Sequence, residues 1–426
     1  MSRLNTYKEA REYIASLTPR GIVPGLKTME FLCYELGNPQ DKIKTIHIAG
    51  TNGKGSIGAF ISSILRANGC SVGRYVSPAV TEYREIIQLD GEYISEDDYT
   101  GIISKVSRAV KAAEQQGIYP TSFEAETAAA FLYFAEKSCE YALIECGMGG
   151  TLDATNVIKH PEAAVLASIS MDHMRFLGDT LEEIAGNKAG IIKNGIPVFS
   201  AKQKPAALEV IKRKCETENA VLTSATEPEI INSDLNGTSF NYRGLNDLYI
   251  SLAGVYQPLN AAAAVDLCMY LGINRDTIRR GLSDTKWPLR FENGTNGWIY
   301  DGAHNEDAAL RLRDTIKELL AGKKLAYITG VFKDKAYDEI LRLTAPLADT
   351  IYTVTLPTDR GLSSSKLAEV ASKYCRNVID AETAEKAVRL CAEESYDNVI
   401  VFGSLSFLAH IKKEKEAVYG KMSKDN

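Results

Sequence analysis

Residues 44–67 read KTIHIAGTNGKGSIGAFISSILRA, and this stretch decides the fold. KTIHIA is a β-branched run suited to a buried strand, and SIGAFISSILRA repeats apolar residues at helical spacing. Between them lies Gly50-Thr51-Asn52-Gly53-Lys54-Gly55-Ser56. A glycine-rich turn from strand to helix presents backbone N–H groups to phosphate oxygens, and the helix dipole adds to the attraction. Gly53, Lys54, Gly55 and Ser56 are therefore candidate ATP contacts, with Lys54 on the outer phosphates and the Ser56 hydroxyl able to face Mg²⁺. The spacing is tighter than a Walker A loop: two residues part Gly50 from Gly53-Lys54, and Gly55 precedes Ser56.

Working outward, β-branched runs alternate with helical patterns, which predicts an α/β fold with a largely parallel sheet. Strands are expected at 44–50, 73–77, 141–147 and 164–170, with helices at 55–68, 96–115, 123–137, 180–192 and 259–271. Residues 196–256 carry shorter strand-like pieces broken by Asn, Gly and Ser, and predict an antiparallel patch at the edge of this first domain. The segment KWPLRFENGTNG at 286–297 reads as a boundary. The division expected is an ATP-binding domain over 1–290 and a smaller Rossmann-like α/β domain over 291–426. In the latter, strands at 298–301, 325–331, 350–355 and 398–403 alternate with helices at 306–320, 335–347, 363–373 and 383–394. GMGG at 147–150 fails as a dinucleotide fingerprint, because Leu152 stands where the third glycine belongs.

The chain has 426 residues, enough for two or more cores. Its net charge of −6 supplies no broad basic surface and argues against a nucleic-acid partner. No stretch reaches the ~18 apolar residues that span a membrane, and the N-terminus lacks the apolar run of a signal peptide. The eight cysteines are scattered without a C-x-x-C pair, as expected of reduced thiols in a cytoplasmic protein.

Ligands of open α/β sheets gather at the carboxyl ends of strands. Glu145 ends YALIE, and AVLASIS leads to Asp172 and His173. Mg²⁺ prefers oxygen ligands, so Glu145 suits it and a histidine is a less usual partner. Alone, each residue reads equally as a buried acid paired with a lysine or as a satisfied loop histidine; beside a phosphate loop they read as a metal–nucleotide site. Lys188, in the following helix, reads alone as a solvated lysine in an i,i+4 pair. In the second domain WIYD ends in Asp301-Gly302-Ala303-His304-Asn305, and Arg290 stands in the boundary segment.

Taken together, these motifs resemble the folylpolyglutamate synthase/dihydrofolate synthase family of the Mur ligase superfamily. HIAGTNGKGS, YVSP, SFEAETAAAFLYF, LIECGMGG with LDATN, SISMDH, FLGDTLEEIA, KAGIIK, WP with RFE, YDGAHN and FGSL occur in the family's order across residues 47–405. The resemblance implies a Mur-ligase-like central domain carrying the phosphate loop, followed by the Rossmann-like domain. It implies that ATP phosphorylates a folate-type carboxylate and that the amine of L-glutamate displaces phosphate, with Mg²⁺, in two ions, as cofactor. Carried over by motif, Ser77, Glu145 and His173 are metal ligands, while Asn260, Arg290 and Asp301 contact ATP. Lys188 matches the lysine that is carbamylated in many members. Phe123, Glu124, Leu152, Asp153 and Ala154 fall on the acceptor side, and His304 and Ser404 on the amino-acid side; a monomer is implied. Lys54, Lys188, His173 and His304 form the expected catalytic set.

The sequence departs from the family pattern at Ala79, Ile86, Thr151 and Leu289; at Ile86 and Thr151 the family often has arginine. Ligation onto another small acid or a cell-wall precursor is thus the alternative within the enzyme class. A P-loop NTPase with a mechanical or regulatory role would leave the second domain and its DGAHN motif without a task.

Overall fold

The computed structural model describes residues 4–422; residues 1–3 and 423–426, the outermost parts of the two expected domains, lie outside it. Among the described residues the chain forms two compact units, one of 4–227 with Leu259–Leu282 and one of Pro228–Pro258 with 283–422.

The first unit is built on eight strands: β1 (Lys44–Ala49), β2 (Val72–Tyr75), β3 (Ile87–Leu89), β4 (Glu92–Tyr93), β5 (Tyr141–Glu145), β6 (Ala163–Leu166), β7 (Pro197–Ser200) and β8 (Val221–Ser224). They lie in the order β4-β3-β2-β5-β1-β6-β7-β8, parallel from β2 to β8, with β3 and β4 antiparallel at one edge. Alternation along each strand assigns the two faces. Ile48 and Arg74 lie under helix Lys54–Ala67, facing Gly58. Tyr75, on the opposite face, meets helix Ser122–Glu136 through Phe123 and Thr127. Burial on both faces is why the inner strands β5 and β6 read as apolar runs rather than as alternating ones.

One correction concerns residues 196–256. β7 and β8 are parallel additions to the main sheet, joined by the crossover helix Pro205–Thr217, which was not expected from sequence. Only β9 (Glu229–Asp234), β10 (Gly237–Tyr242) and β11 (Leu245–Ile250) are antiparallel, and they form a sheet in the second unit rather than at the edge of the first. A single division at 290/291 therefore does not follow the packing. The helix expected over 180–192 is α-helical only over Leu181–Lys188 and tightens to a 3₁₀ turn at Ala189–Ile191.

The second unit also holds a six-stranded sheet of β12 (Arg290–Asn293), β13 (Trp298–Asp301), β14 (Leu325–Thr329), β15 (Thr350–Val354), β16 (Val378–Glu382) and β17 (Asn398–Phe402). Its order is β12-β13-β17-β14-β15-β16, parallel except for β12. Helices Glu306–Leu319, Tyr337–Thr344 and Ser364–Ala371 contribute Leu312, Ile316, Ile340, Leu367 and Val370 to a core shared with Tyr327, Ile351, Ile400 and Phe402. β13 and β17 are neighbours, so the DGAHN and FGSL motifs emerge side by side.

Candidate functional site

Two glycines shape the phosphate loop. Gly50 adopts φ +150° and lies so close to Ala167 that a β-carbon would stand 2.6 Å from that residue's own. Gly53 adopts φ +95°, and a β-carbon there would stand 2.6 Å from Asn260 Oδ1. Thr51 N–H and Asn52 N–H donate to the Ser168 carbonyl, at 2.8 and 3.2 Å, fixing the loop against the segment after β6. No side chain caps helix Lys54–Ala67. Its first N–H groups therefore remain available to an anion, with the helix dipole directed at them. Lys54 Nζ donates to the carbonyls of Gly50 (3.3 Å) and Thr51 (3.5 Å) and stands 3.7 Å from Glu145 Oε1. An ammonium and a carboxylate are thus held at the mouth of an anion-binding turn, with Ser56 buried behind it.

Lys188 is not the solvated lysine of the bland reading. It is 3% exposed, and its Nζ donates to the Gly50 carbonyl at 2.9 Å. Burial, reinforced by the Lys54 charge, holds its pKa down to about 7, against the opposing pull of Cys146, Asp172 and Asp153. A buried amine that is substantially neutral near pH 7 is a nucleophile toward carbon dioxide.

Of the expected metal ligands, Ser77 follows β2 and its Oγ is buried without a hydrogen-bond partner, while Glu145 is the last residue of β5. A hydroxyl and a carboxylate are oxygen donors of the kind Mg²⁺ takes, so both fit the ion. His173 differs. It has left-handed φ (+52°), its side chain is 44% exposed, and it lies 4.0 Å from Asp172, whose carboxylate is the more buried of the two. No group of three acidic, histidine or cysteine side chains suited to a metal is preassembled among the described residues. Asp172, which the motif leaves in the shadow of the adjacent histidine, faces inward and influences Lys188. Arg74 escapes sequence reasoning as well, because a charged residue inside a strand gives no periodic signal. It is buried beneath the loop helix, donates to the Gly55 carbonyl at 3.1 Å and feels the Glu145 charge.

On the acceptor side, Phe123 packs on Tyr75 and needs Gly147, where a β-carbon would be 2.6 Å from its ring. Leu152 is 51% exposed and Ala154 is buried. Glu124 closes a capping box, accepting from Thr121 N–H at 2.7 Å and from the Thr121 hydroxyl at 2.8 Å. Its carboxylate is thereby engaged in holding the helix start. The Thr151 hydroxyl donates to the Asn187 carbonyl at 3.0 Å, so the residue in the arginine's place ties the loop to the Lys188 helix.

In the second unit Asp301 is buried at the end of β13. Its Oδ2 accepts from the Tyr256 hydroxyl (2.9 Å) and Phe291 N–H (3.0 Å), and its Oδ1 accepts from Ala303 N–H (2.8 Å). Burial raises its pKa against these donors and the Arg290 charge. Arg290 Nη1 donates to the Leu289 carbonyl at 3.0 Å. His304 Nδ1 lies 2.8 Å from the Gly302 carbonyl, so Nδ1 carries a proton and donates to it. Gly403 N–H donates to the Ala303 carbonyl at 2.9 Å, which brings Ser404 beside His304's loop.

Comparison with known proteins agrees with this fold. Residues 48–268 match the Mur ligase middle domain, and residues 290–405 match the Mur ligase glutamate ligase domain. The chain is 34% identical to the dihydrofolate synthase/folylpolyglutamate synthase of Bacillus subtilis, over 96% of this chain and 98% of that protein. It is likewise 34% identical to the folylpolyglutamate synthase of Lacticaseibacillus casei, over 82% and 86% respectively. Among solved structures, E. coli FolC in complex with DHPP and ADP superposes with a TM-score of 0.88 at 26% identity, covering 98% of this chain and all of that one (100%). The Thermotoga maritima folylpolyglutamate synthase gives 0.84 at 31%, covering 96% of each chain. By these domain matches and relatives, the chain belongs to the folylpolyglutamate synthase/dihydrofolate synthase family of Mur ligases.

Proposed function

We propose that this protein is an ATP-dependent ligase that joins L-glutamate to a folate-type carboxylic acid through an acyl phosphate. The observation that carries the reading is the Lys54–Glu145 pair at 3.7 Å, set at an uncapped helix N-terminus. The N–H groups of the first turn and the Lys54 ammonium bind the triphosphate and stabilise charge moving onto it. Ser77 and Glu145 would hold Mg²⁺, with His173 or Asp172 completing the set, and the ion would neutralise phosphate oxygens during transfer. Lys188, as a carbamate, would add a further anion beside the loop. Phe123 and the 147–157 loop orient the acceptor. Arg290 and Asp301 serve the nucleotide, and His304 and Ser404 the incoming amino acid. We further read the protein as a cytoplasmic monomer acting on small molecules.

The test is purified protein with ATP, Mg²⁺ and L-glutamate, supplied in turn with dihydropteroate and tetrahydrofolate, following phosphate release and the glutamylated product. Product with either acid is expected, and Lys54→Ala should lower the rate about 10²–10³-fold. A second reading, ligation onto a different small acid, is favoured by Ile86, which is buried, and by Thr151, which is tied to Asn187. Glutamate-dependent ATP turnover with neither folate acid but with another carboxylic acid would select it.

A further inference from the structure

His47, at the centre of β1, is fully buried (0% exposed), and the reading above gives it no task. Its Nε2 lies 2.8 Å from Thr155 Oγ1 and 3.2 Å from Cys146 Sγ. Thr155 Oγ1 lies 2.6 Å from Asp153 Oδ1, and Thr155 N–H also donates to that oxygen at 3.0 Å. Asp153 Oδ2 accepts from Met148 N–H at 2.9 Å. The proton positions follow from donor counting. A hydroxyl has one hydrogen, and at 2.6 Å from a carboxylate it must donate there. The Thr155 oxygen therefore accepts from His47, so Nε2 carries the imidazole proton. His47 Nδ1 is then a lone pair, buried without a protein partner. A directed chain results: His47 Nε2–H to Thr155 Oγ1–H to Asp153 Oδ1.

We infer that His47 and Thr155 are positioning residues that act through Asp153 to set the shape of the acceptor pocket. The inference rests on the reading that the 147–157 loop holds the acceptor. The chain runs from the middle of the main sheet into this loop. Thr155 turns one carboxylate oxygen toward the sheet, which leaves the other to fix the backbone at Met148. Met148 and Leu152 lie in the same loop, tied to Asp153 by the Met148 N–H bond on one side and the Gly150–Asp153 turn on the other. The imidazole is a suitable anchor because it stays neutral: burial lowers its pKa to about 3. The imidazole therefore stays a neutral donor to Thr155, and its part in the chain is to hold geometry rather than to move a proton.

The experiment is calorimetric titration of the full-length protein with dihydropteroate in the presence of ADP, and separately with ADP alone. Thr155→Val keeps the side-chain shape and removes the hydroxyl. It is expected to weaken dihydropteroate at least tenfold while ADP affinity stays within twofold, and Thr155→Ser should restore parent behaviour. His47→Leu, which removes the donor to Thr155 together with the Cys146 contact, should weaken dihydropteroate several-fold with ADP again unaffected. It carries the test if Thr155→Val does not fold. A folded Thr155→Val that binds both ligands as the parent does, or either variant losing both in equal proportion, overturns the relay. Asp153→Asn separates the two levels. If it leaves dihydropteroate binding intact, the acceptor assignment of the loop fails; if it weakens binding while Thr155→Val does not, only the relay fails.

Discussion

Lys188 Nζ donates to the Gly50 carbonyl at 2.9 Å, joining residues 138 apart in the chain. The amine at the end of helix Leu181–Lys188 is thereby fixed against the first glycine of the phosphate loop. The loop carries Lys54 as well, so two amines face one turn, and burial together with that second charge drives Lys188 toward neutrality.

A stability signature follows. The Lys188 pKa falls from 10.5 to about 7 on folding, so between those values the unfolded chain binds more protons than the folded one. Stability must then rise with pH across that window and be independent of this group below it. Lowering a pKa by one pH unit corresponds to about 1.36 kcal/mol. Lys188→Met lacks the titration. In carbon-dioxide-free buffer its melting temperature, relative to the parent's, should therefore be highest at pH 7 and fall steadily toward pH 10. A difference that stays constant over this range would rule out the buried neutral amine.

Carbamylation supplies a second test at the same residue. The neutral amine adds carbon dioxide through a new N–C bond and releases one N–H proton to solvent, leaving a carbamate anion, so bicarbonate should raise the activity of protein stripped of carbon dioxide. Intact-mass measurement should find one added carbon dioxide on the parent and none on Lys188→Ala. That variant should lose activity about a hundredfold, on the scale of other electrostatic contributions to transfer, and short carboxylic acids should restore part of it. Unaltered activity in Lys188→Ala would reject the role.

Ser77 offers a case in which binding and stability separate. Its buried Oγ has no protein partner, so Ser77→Ala breaks no internal hydrogen bond and should change stability by less than about 0.5 kcal/mol. If the hydroxyl holds Mg²⁺, the same variant should raise the half-saturating Mg²⁺ concentration about tenfold. Mn²⁺ binding followed by electron paramagnetic resonance reads this without turnover. A large loss of stability with unchanged metal affinity would make Ser77 a structural residue.

The sequence is most legible where one local rule acts alone. The Gly50–Ser56 turn is readable because only glycine accepts the close approaches to Ala167 and Asn260. β5 and β17 are readable because burial on both faces leaves a nearly continuous apolar run. Helix Pro205–Thr217 is hidden because its lysines and glutamates outnumber its buried residues Ala207, Ile211 and Cys215. β16 is hidden because an edge strand is half solvated and carries Asp380 and Glu382. In the site, Glu145 and Asp301 stand at strand ends and Lys54 at a helix start, where motifs are local. Arg74 and His47 give no signal of function, since their partners Gly55 and Thr155 become neighbours only when a helix and a loop pack on the sheet. Leu289 looks in the sequence like a specificity difference, yet the structure gives it φ +61°, a conformation that favours glycine and costs an L side chain about 1–2 kcal/mol.

Asp301 permits a graded test in the second unit. Its carboxylate oxygens accept from Tyr256, Phe291 and Ala303, with each of the last two donors a backbone N–H. Asparagine has the same shape but must turn its NH₂ group toward one of these donors, leaving a buried N–H unpaired. That should cost about 1–3 kcal/mol. Tyr256→Phe removes one donor and leaves the two backbone bonds, so it should cost about 1 kcal/mol. Thermal unfolding compares the two stabilities, and ADP titration separates structure from nucleotide binding. If Asp301 serves only to hold β12 against β13, both variants should bind ADP as the parent does. If it also positions the nucleotide, Asp301→Asn should weaken ADP at least tenfold while Tyr256→Phe stays within about threefold, since only the former removes the buried negative charge.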